Sequence, residues 1–415
     1  MTTDESFDVA KVKAEFPLLQ REIKGRPIVF LDSAASSQKP QVVIDAMTTY
    51  YETINANVHR GVYEIAEAAT NALEAARIKV GNFIGAPKPS TEIIFTKNAT
   101  ESLNLVAQSW GRANLGAGDA VLLTQLEHHA NIVPWFQLAA EKGFEIRWVP
   151  LTEDAQLDLT DIDRLLEGVK LFSFTAMSNV VGTITPVAEL TEKAHNAGAL
   201  VCLDACQYVP HLPTNVSELG VDFAAFSGHK MLGPTGVGVL WAREDLLDAM
   251  PPWMGGGGMI LNVTLDGFVP AALPAKFEAG TPPIAEIIGL GVAVDYLETL
   301  GMEAVREHEV AITAYALRSL TERLGDQLTI HGPKEPAQRG GVLSLAIDGV
   351  HPHDLSQVLD EKSVCVRPGH HCAKPLMKVL GVGATARASF YVYNDFHDVD
   401  ALGDALADAA KFFSF

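Results

Sequence analysis

The chain has 415 residues, of which 48% are hydrophobic and 20% charged, with 34 Gly and 22 Pro. This composition excludes a disordered, collagen-like or coiled-coil protein, and the length corresponds to two or three domains at about 150 residues each. Acidic residues number 51 against 31 lysines and arginines, which gives a formal net charge of -20. That charge repels phosphate backbones and anionic membranes, so neither nucleic acid nor membrane partners are expected.

Four cysteines are too few for a disulfide framework, and the first residues, MTTDESFDVAKVKAEF, contain neither a basic leader nor an apolar signal segment. No apolar run approaches the roughly 18 residues that a membrane span needs. We therefore expect a soluble protein of the reducing cytoplasm.

Seven short apolar segments alternate with helical patterns in the first two thirds of the chain. They are Glu92–Thr96, Ala120–Thr124, Glu145–Val149, Lys170–Thr175, Ala199–Ala205, Asp222–Phe226 and Gly236–Trp241. Near-continuous apolar strands between helices are typical of a mostly parallel sheet that is covered on both faces. The sequence therefore predicts an α/β fold, in which ligands bind beyond the carboxyl ends of the strands.

The last third of the chain has a different pattern. Helices are predicted at Ile284–Leu300 and Met302–Arg323, and strands at Gly341–Ile347 and Arg387–Tyr393. Most of Leu328–Gly340 is expected to be a surface loop, because it is polar and contains Pro and Gly. A smaller α+β domain is expected here.

Asp204 lies at the carboxyl end of one predicted strand and Lys230 follows the next, so both are expected at the same rim of the sheet. Asp204 either caps the next turn or faces a protonated heteroaromatic nitrogen. Lys230 is either a solvated loop residue or an amine, with its pKa lowered by desolvation, that condenses with a carbonyl. Together they favour a Schiff-base lysine opposite a pyridinium partner, the arrangement that pyridoxal phosphate requires.

Thr100 follows the first strand at or near a helix N-terminus, where free N–H groups suit a phosphate dianion or a plain N-cap. Ser227 and His229, beside the lysine, could supply further donors. His128, after the second strand, could stack on the cofactor ring and exchange protons near neutral pH. Because His128 and His129 are adjacent, they lack the spacing of a helical metal pair, and no zinc site is expected there.

Cys372 lies in a polar loop near Arg367 and two imidazoles, which would favour its thiolate if they are close in space. We expect it to be a reactive nucleophile. A His/His/Cys zinc site is the alternative, although no second ligand cluster completes it. For Cys202, Cys206 and Cys365, in or beside apolar strand patterns, inert packing is expected.

Arg387 is either a clamp for a substrate carboxylate or an ordinary surface arginine. The run Gly255–Gly258 lacks the strand, spacing and Lys-Ser/Thr of a nucleotide loop. Its glycines are expected to allow a close backbone approach or a flexible flap.

Several motifs along the chain resemble the type II cysteine desulfurases of the sulfur-mobilising iron–sulfur assembly system, within the fold type I pyridoxal-phosphate enzymes. They cover nearly the whole chain in the right order. The segments are LDSAASSQKP (Leu31–Pro40), NVHRGVY (Asn57–Tyr63), EHHANIVPW (Glu127–Trp135), SNVVGT (Ser178–Thr183), DACQ (Asp204–Gln207), FSGHKMLGPTGVGVL (Phe226–Leu240), FEAGTP (Phe277–Pro282) and RPGHHCA (Arg367–Ala373).

The resemblance implies a homodimeric enzyme that uses pyridoxal 5'-phosphate to convert L-cysteine to L-alanine. The sulfur becomes a persulfide on an enzyme cysteine and passes to an acceptor protein of the iron–sulfur assembly machinery. The alternatives are a selenocysteine lyase, a cysteine sulfinate desulfinase and a catalytically silent scaffold. The implied organisation is a large cofactor-binding domain of residues 25–295 and a small domain of residues 1–24 with 296–415.

The resemblance also implies residue roles. Lys230 binds the cofactor covalently, Asp204 faces the pyridine nitrogen, Gln207 donates to the ring hydroxyl, and His128 stacks on the ring and donates a proton. Thr100, Ser227 and His229 bind the phosphate, with Thr281 reaching it from the other subunit. Asn179 and Arg387 hold the substrate carboxylate, His59 and Arg60 line the approach, and Cys372 accepts sulfur. Relatives often carry Gly-Thr before the phosphate threonine, whereas this chain has Asn98-Ala99. One phosphate donor is therefore missing or replaced by backbone.

Overall fold

The computed structural model describes residues 7–413. The central sheet contains Ile93–Thr96 (β1), Ala120–Thr124 (β2), Glu145–Val149 (β3), Val169–Thr175 (β4), Leu200–Asp204 (β5), Phe223–Ser227 (β6) and Gly238–Ala242 (β7). Their order is β1-β7-β6-β5-β4-β2-β3. All neighbours are parallel except β7, which is antiparallel to β1 and β6. The predicted α/β fold with a mostly parallel seven-stranded sheet is confirmed.

Alternate residues of these strands face two different hydrophobic cores. In β2, Ala120 and Leu122 belong to one core, and Val121 and Leu123 belong to the other. All five residues of β2 are buried. The sheet is therefore covered on both faces, which explains why its strands are continuously apolar and do not alternate with polar residues.

Helices form both covering layers. Gln41–Thr53, Glu64–Phe83 and Ile284–Leu300 contribute to the first core, and Ala99–Val106 and Val133–Lys142 contribute to the second. The remaining helices of eight or more residues in the described part of the chain are Val187–Asn196, Met302–Leu324, Pro352–Asp360 and Phe396–Phe413. Within residues 7–413, no helix combines the length and apolarity that crossing a bilayer would need.

A second sheet occupies the C-terminal third. Its strands are Leu328–His331 (β8), Val342–Ile347 (β9), Arg367–Gly369 (β10) and Thr385–Ser389 (β11), paired antiparallel in the order β8-β9-β11-β10. The helices Met302–Leu324, Pro352–Asp360 and Phe396–Phe413 pack with this sheet around a third core. The expected strand Arg387–Tyr393 thus begins two residues earlier and ends at Ser389.

Most of Leu328–Gly340 lies outside the strands, as predicted, but its two ends are not surface loop. Leu328–His331 is a strand, because Leu328 and Ile330 pack against the third core while the backbone pairs with β9. Arg339 is fully buried, and its guanidinium donates to the carbonyls of Pro333, His331 and Val342. Neither the pairing with a distant strand nor the burial of a guanidinium among backbone carbonyls is visible in local composition.

The N-terminal segment connects the two sheets. Val29–Phe30 pairs in parallel with Val364–Cys365, and Leu31 packs in the third core. Val12 and Phe16, by contrast, pack in the first core. The domain boundaries at 25–295 and 1–24 with 296–415 stay a prediction, and residues 1–6 and 414–415 of that division lie outside the described residues.

Candidate active site

The carboxyl ends of β4, β5 and β6 meet at a cavity of about 220 Å³. Thr175, Asp204 and Ser227 end these strands and line it. This is the place where open α/β sheets bind ligands. The predicted site residues that line this cavity are Thr100, His128, Asn179, Asp204, Gln207, Ser227, His229, Lys230, Cys372 and Arg387.

His59, Arg60 and Thr281 do not line this cavity within one chain. They line a second cavity together with Gly257 and Gly258. Their predicted participation in the site therefore requires a second copy of the chain and stays a prediction. The N–H of Gly280 donates to the carbonyl of Gly257 at 2.7 Å, but a Cβ on either glycine would meet nothing within 4 Å. The expected close backbone approach is therefore absent at Gly257, and what glycine provides here is the positive φ of Gly258 (86°) and Gly280 (88°).

Asp204 and Gln207 form the base of the first cavity. Asp204 is 4% exposed, and its Oδ1 accepts from the N–H of Cys206 at 3.1 Å. Gln207 donates from Nε2 to the carbonyl of Ala34 at 2.7 Å, while its Oε1 is buried and has no partner. A carboxylate and an unpaired amide oxygen are costly to bury without a ligand that binds them.

Lys230 ends the short turn Gly228–Lys230 that follows β6. Its side chain is half-buried, and within residues 7–413 its amine makes no hydrogen bond or ion pair. Because β5 and β6 are parallel neighbours, the turn lies at the same rim as Asp204. The amine and the carboxylate therefore share one cavity.

The helix Ala99–Val106 begins at the same rim. Its N-cap is Asn98, whose Oδ1 accepts from the N–H of Glu101 at 3.0 Å, so Thr100 is not the cap. The N–H of Ala99 donates to Ser227 Oγ at 2.9 Å, which leaves the Ser227 hydroxyl proton free to donate elsewhere. Thr100 is the second residue of this helix, a position whose N–H has no acceptor within the helix. These donors at a helix N-terminus suit an anion.

The backbone of β7 approaches this helix end closely. A Cβ on Gly238 would lie 2.4 Å from Cα and C of Asn98. Glycine at position 238 therefore allows the N-terminus of the helix Ala99–Val106 to lie directly against β7.

His128 is half-buried in the cavity wall. Its Nδ1 accepts from the N–H of Ala130 at 3.0 Å, so the neutral ring carries its proton on Nε2. Burial, followed by repulsion from Lys230, lowers the pKa of His128 to about 4. The ring is thus uncharged at neutral pH, which differs from the expectation that it titrates there. Burial likewise lowers the pKa of His229 to about 4.

Glu127 fixes the loop that carries His128, and the sequence analysis gave it no role. Its carboxyl group accepts from Thr124 Oγ1, Asn131 Nδ2 and the N–H of Thr175 at 2.6 to 3.0 Å. Burial raises the pKa of Glu127 to about 8, so this group is largely protonated at neutral pH. The motif EHHAN contains Glu127 and Asn131, but only the folded loop shows that their side chains are hydrogen-bonded to each other.

Arg387 reaches the cavity from β11 of the second sheet and is 2% exposed. It donates to the carbonyl of Asn179 at 2.9 Å and to Asp32 Oδ1 at 3.1 Å, and its buried Nε has no partner. Burial lowers the pKa of Arg387, and Asp32 opposes that shift. Unused N–H groups on a buried guanidinium suit a carboxylate ligand. Arg387 is not a surface arginine, and Asp32 is a partner that sequence reasoning missed.

The exposed Cys372 also lines this cavity. His371 and Cys372 have φ angles of 51° and 56°, which are rare for residues other than glycine. Three hydrogen bonds to His129 and Asn179, in segments that follow strands of the central sheet, hold this loop. Asn179 Nδ2 donates to the carbonyl of His371 at 2.9 Å, the N–H of His129 to the carbonyl of Cys372 at 2.7 Å, and the N–H of Lys374 to His129 Nε2 at 3.0 Å. Asn179 therefore contacts the cysteine loop as well as Arg387.

The charges expected beside Cys372 are only partly present. Burial lowers the pKa of His371 to about 3, and its Nε2 lies 2.9 Å from Thr385 Oγ1, so this imidazole is neutral. Arg367 lines the same cavity and pairs with Asp32. Within residues 7–413, no cluster of three or more His, Cys, Asp or Glu side chains could hold a metal ion.

The other three cysteines differ from Cys372. Burial raises the pKa of Cys202 to about 12 and also raises those of Cys206 and Cys365. None of them favours a thiolate at neutral pH. Cys206 nevertheless lines the first cavity beside Asp204.

Comparisons with known proteins agree with this geometry. The family described as Aminotransferase class-V matches residues 29–402. The probable cysteine desulfurase of Streptomyces coelicolor is 48% identical over 98% of each chain, and the cysteine desulfurase of Haloferax volcanii is 44% identical over 100% of each. The apo structure of cysteine desulfurase from Thermococcus onnurineus superposes with a TM-score of 0.92 at 38% identity, covering 97% of this chain and 98% of that one.

The chain belongs to the cysteine desulfurases of the class-V aminotransferase family. A further solved member, the cysteine desulfurase CsdA from Escherichia coli, has a TM-score of 0.89 at 36% identity and covers 98% of this desulfurase and 99% of its own chain. Cysteine desulfurases of this family depend on pyridoxal phosphate.

The cavity of this desulfurase fits that cofactor. The unpaired Gln207 Oε1 and the buried Asp204 would face a polar heteroaromatic ring, and the free donors of Thr100 and Ser227 would face its phosphate. Lys230 is the one lysine that lines the cavity among the described residues. The donor set is therefore matched to an aldehyde-bearing, anionic and aromatic ligand.

Gly238→Ala is expected to weaken pyridoxal phosphate binding to this desulfurase by at least about tenfold, since the added Cβ must displace Asn98 and with it the helix end. Fluorescence titration of the purified protein with the cofactor measures this. Gly116→Ala is the control, because a Cβ at Gly116 meets nothing within 4 Å. Unchanged affinity in Gly238→Ala, with its thermal stability also unchanged, would contradict the close approach.

Proposed function

We propose that this desulfurase converts L-cysteine and its own Cys372 thiol to L-alanine and a Cys372 persulfide, which donates sulfur to an acceptor protein for iron–sulfur cluster assembly. The balance is complete, because the sulfur lost by the substrate is the sulfur gained by the enzyme. The observation that carries this proposal is the shared cavity, in which Lys230 and Asp204 from one sheet face Arg387 and Cys372 from the other domain.

Pyridoxal phosphate, when bound, supplies an aldehyde that joins an amine and a protonated ring that accepts electron density from the substrate Cα. Lys230 is proposed to hold the cofactor through its amine and, when that amine is free, to take the proton from Cα. Asp204 keeps the ring nitrogen protonated, since a buried carboxylate stabilises an adjacent cation. Gln207, Thr100, Ser227 and His229 hold the ring hydroxyl and the phosphate.

Arg387 holds the substrate carboxylate with the N–H groups that Asn179 and Asp32 leave unused. Asn179 adds its second amide hydrogen. Because the Asn179 amide also fixes the carbonyl of His371, one side chain orients the substrate and the cysteine loop together.

Cys372 attacks the substrate sulfur as a thiolate: the bond between the two sulfurs forms, and the bond between substrate Cβ and sulfur breaks. The electron pair of the broken bond returns to the substrate, which is then protonated to alanine. His128 is proposed as that proton donor. Its charged form is disfavoured by burial, and the negative charges of a bound cofactor would favour it.

A homodimer is proposed because the second cavity holds His59, Arg60 and Thr281 away from the first. A copy of the chain that set these residues against its partner would complete each site. The hairpin 260–270 supports this arrangement, because Leu261, Val263 and Phe268 on it are more than half exposed.

The sulfur acceptor is proposed to be a protein, because exposed Cys372 lies in a short, tightly held loop and cannot carry its sulfur far. The four unpaired cysteines support a reducing compartment, the cytoplasm.

Lys230→Ala should abolish both the visible absorbance of covalently bound cofactor and alanine formation, because no other amine lines the cavity in the described chain. Lys97→Ala, at an exposed lysine beside the same helix, is the control and should retain both. Absorbance spectra and an alanine assay give the two readouts. Persistence of the band and of turnover in Lys230→Ala would remove the central assignment.

Cys372→Ala should keep the bound cofactor and lose desulfuration of L-cysteine by roughly two orders of magnitude or more, since the nucleophile is gone. Cys365→Ala is the matched control, and it should remain active. Sulfide and alanine are measured with L-cysteine and, in parallel, with selenocysteine and cysteine sulfinate.

Full activity of Cys372→Ala on L-cysteine would reassign the nucleophile. Activity that survives only on selenocysteine or cysteine sulfinate would show that Cys372 is needed for the sulfur substrate alone.

A further inference from the structure

The carbonyl of His229 belongs to the peptide that joins His229 to Lys230, and it is surrounded by donors from a distant segment. It accepts from the N–H of Ser37 at 3.0 Å, from Ser36 Oγ at 3.2 Å, from Ser37 Oγ at 3.1 Å and from Lys39 Nζ at 3.0 Å. A carbonyl oxygen has two lone pairs and usually binds one or two donors. The carbonyl oxygen of His229 therefore has more donors around it than a buried backbone carbonyl needs.

The same segment also holds the other side of the turn. The N–H of Leu232 donates to Ser37 Oγ at 2.9 Å. Leu232 is fully buried and has a φ of 66°, in the left-handed region that disfavours a branched side chain. A residue in this conformation persists only where its surroundings hold it there. Ser37 is thus hydrogen-bonded to the backbone on both sides of Lys230, at His229 and at Leu232.

Lys39 contributes a charge that no carboxylate balances. Its amine bonds to the carbonyls of Ser37 and His229, and it has no acidic partner among residues 7–413. Burial lowers the pKa of Lys39 to about 8, so it remains mostly protonated at neutral pH. Burying an ammonium group without an acidic partner costs free energy. In return, Lys39 makes a charge-assisted hydrogen bond to the carbonyl of His229, next to Lys230.

We propose that Ser37 and Lys39 are positioning residues that clamp the peptide between His229 and Lys230 and thereby aim the Lys230 amine into the cavity. The inference rests on the proposed role of Lys230. Neither residue lines the cavity. Their effect is to keep the strained turn in one conformation, so that the amine does not lose orientation between successive proton transfers.

The test uses the full-length protein with Ser37→Ala and Lys39→Met. Lys276→Met is the matched control, because Lys276 is a buried lysine whose amine donates only to backbone carbonyls, those of Leu247 and Asp248, each at 3.0 Å. Ser109→Ala is the serine control, since Ser109 is buried and donates to the carbonyl of Pro251.

The first readout is hydrogen exchange of the amides of residues 231–233, measured without added cofactor. Loss of the clamp should speed exchange of the Leu232 amide by about tenfold in each variant, while amides of β5 stay within about twofold of wild type. Both controls should exchange at wild-type rates in this turn. Wild-type exchange at Leu232 in Ser37→Ala and Lys39→Met would overturn the clamp.

The second readout is steady-state kinetics with L-cysteine in protein loaded with pyridoxal phosphate. A misdirected amine should lower kcat by about 10- to 100-fold while KM changes little, because Arg387 still holds the carboxylate. An unchanged kcat, or an equal loss in Lys276→Met and Ser109→Ala, would also overturn the proposal. If one variant fails to fold, the other carries both readouts.

Failure of the clamp and failure of the proposed function give different results. Should Lys230→Ala keep the absorbance of bound cofactor, the function assigned to Lys230 fails, whatever the exchange rates are. Should Lys230→Ala lose that absorbance while the clamp variants match wild type, only the clamp fails.

Discussion

The site depends on two parallel strands lying side by side. Because β5 and β6 run in the same direction, Asp204 at the end of β5 and Lys230 in the turn after β6 lie at one rim of the sheet. The acid is buried and the amine is unpaired, so the fold maintains a separation of charge that a polar ligand between them would relieve. The hydrophobic burial of the central strands, whose two faces are covered by different cores, offsets the free-energy cost of holding these groups in the cavity.

The chemistry is divided between the two sheets, and a short N-terminal segment contacts both parts. Arg387 and Cys372 come from the C-terminal third, while Asp204, Lys230 and His128 come from the central sheet. Between them runs the segment 32–39. It contacts Arg387 through Asp32, Tyr393 through Ser33, and the turn of Lys230 through Ser37 and Lys39. A change in the position of the second sheet therefore reaches both the carboxylate-binding and the proton-transferring groups.

Much of the fold could be predicted because apolar runs and helical periods are local signals. The seven strands of the central sheet were predicted to within about two residues, and the carboxyl-end rule then located the cavity. The edge strand Leu328–His331 was missed, because its partner β9 lies beyond a polar loop. Burial of Arg339 was missed for the same reason, since its carbonyl partners are set by the folded loop.

Within the site, the sequence predicted which residues line the cavity better than it predicted their protonation states. His128 lies where it was expected, but its burial beside Lys230 lowers its pKa to about 4, a consequence of packing that spacing along the chain does not encode. Asp32 was overlooked because its two ion-pair partners, Arg367 in β10 and Arg387 in β11, lie far from it in the sequence. His59, Arg60 and Thr281 belong to a second cavity, and a single chain cannot reveal what they face.

The identity of the lysine that carries the cofactor is the point on which the function depends. Borohydride reduction of the protein loaded with pyridoxal phosphate, followed by peptide mass spectrometry, identifies it directly. The pyridoxyl mass is expected on Lys230 alone. Its appearance on Lys39, the other amine near this turn, or its absence from every lysine, would contradict the assignment of the cavity.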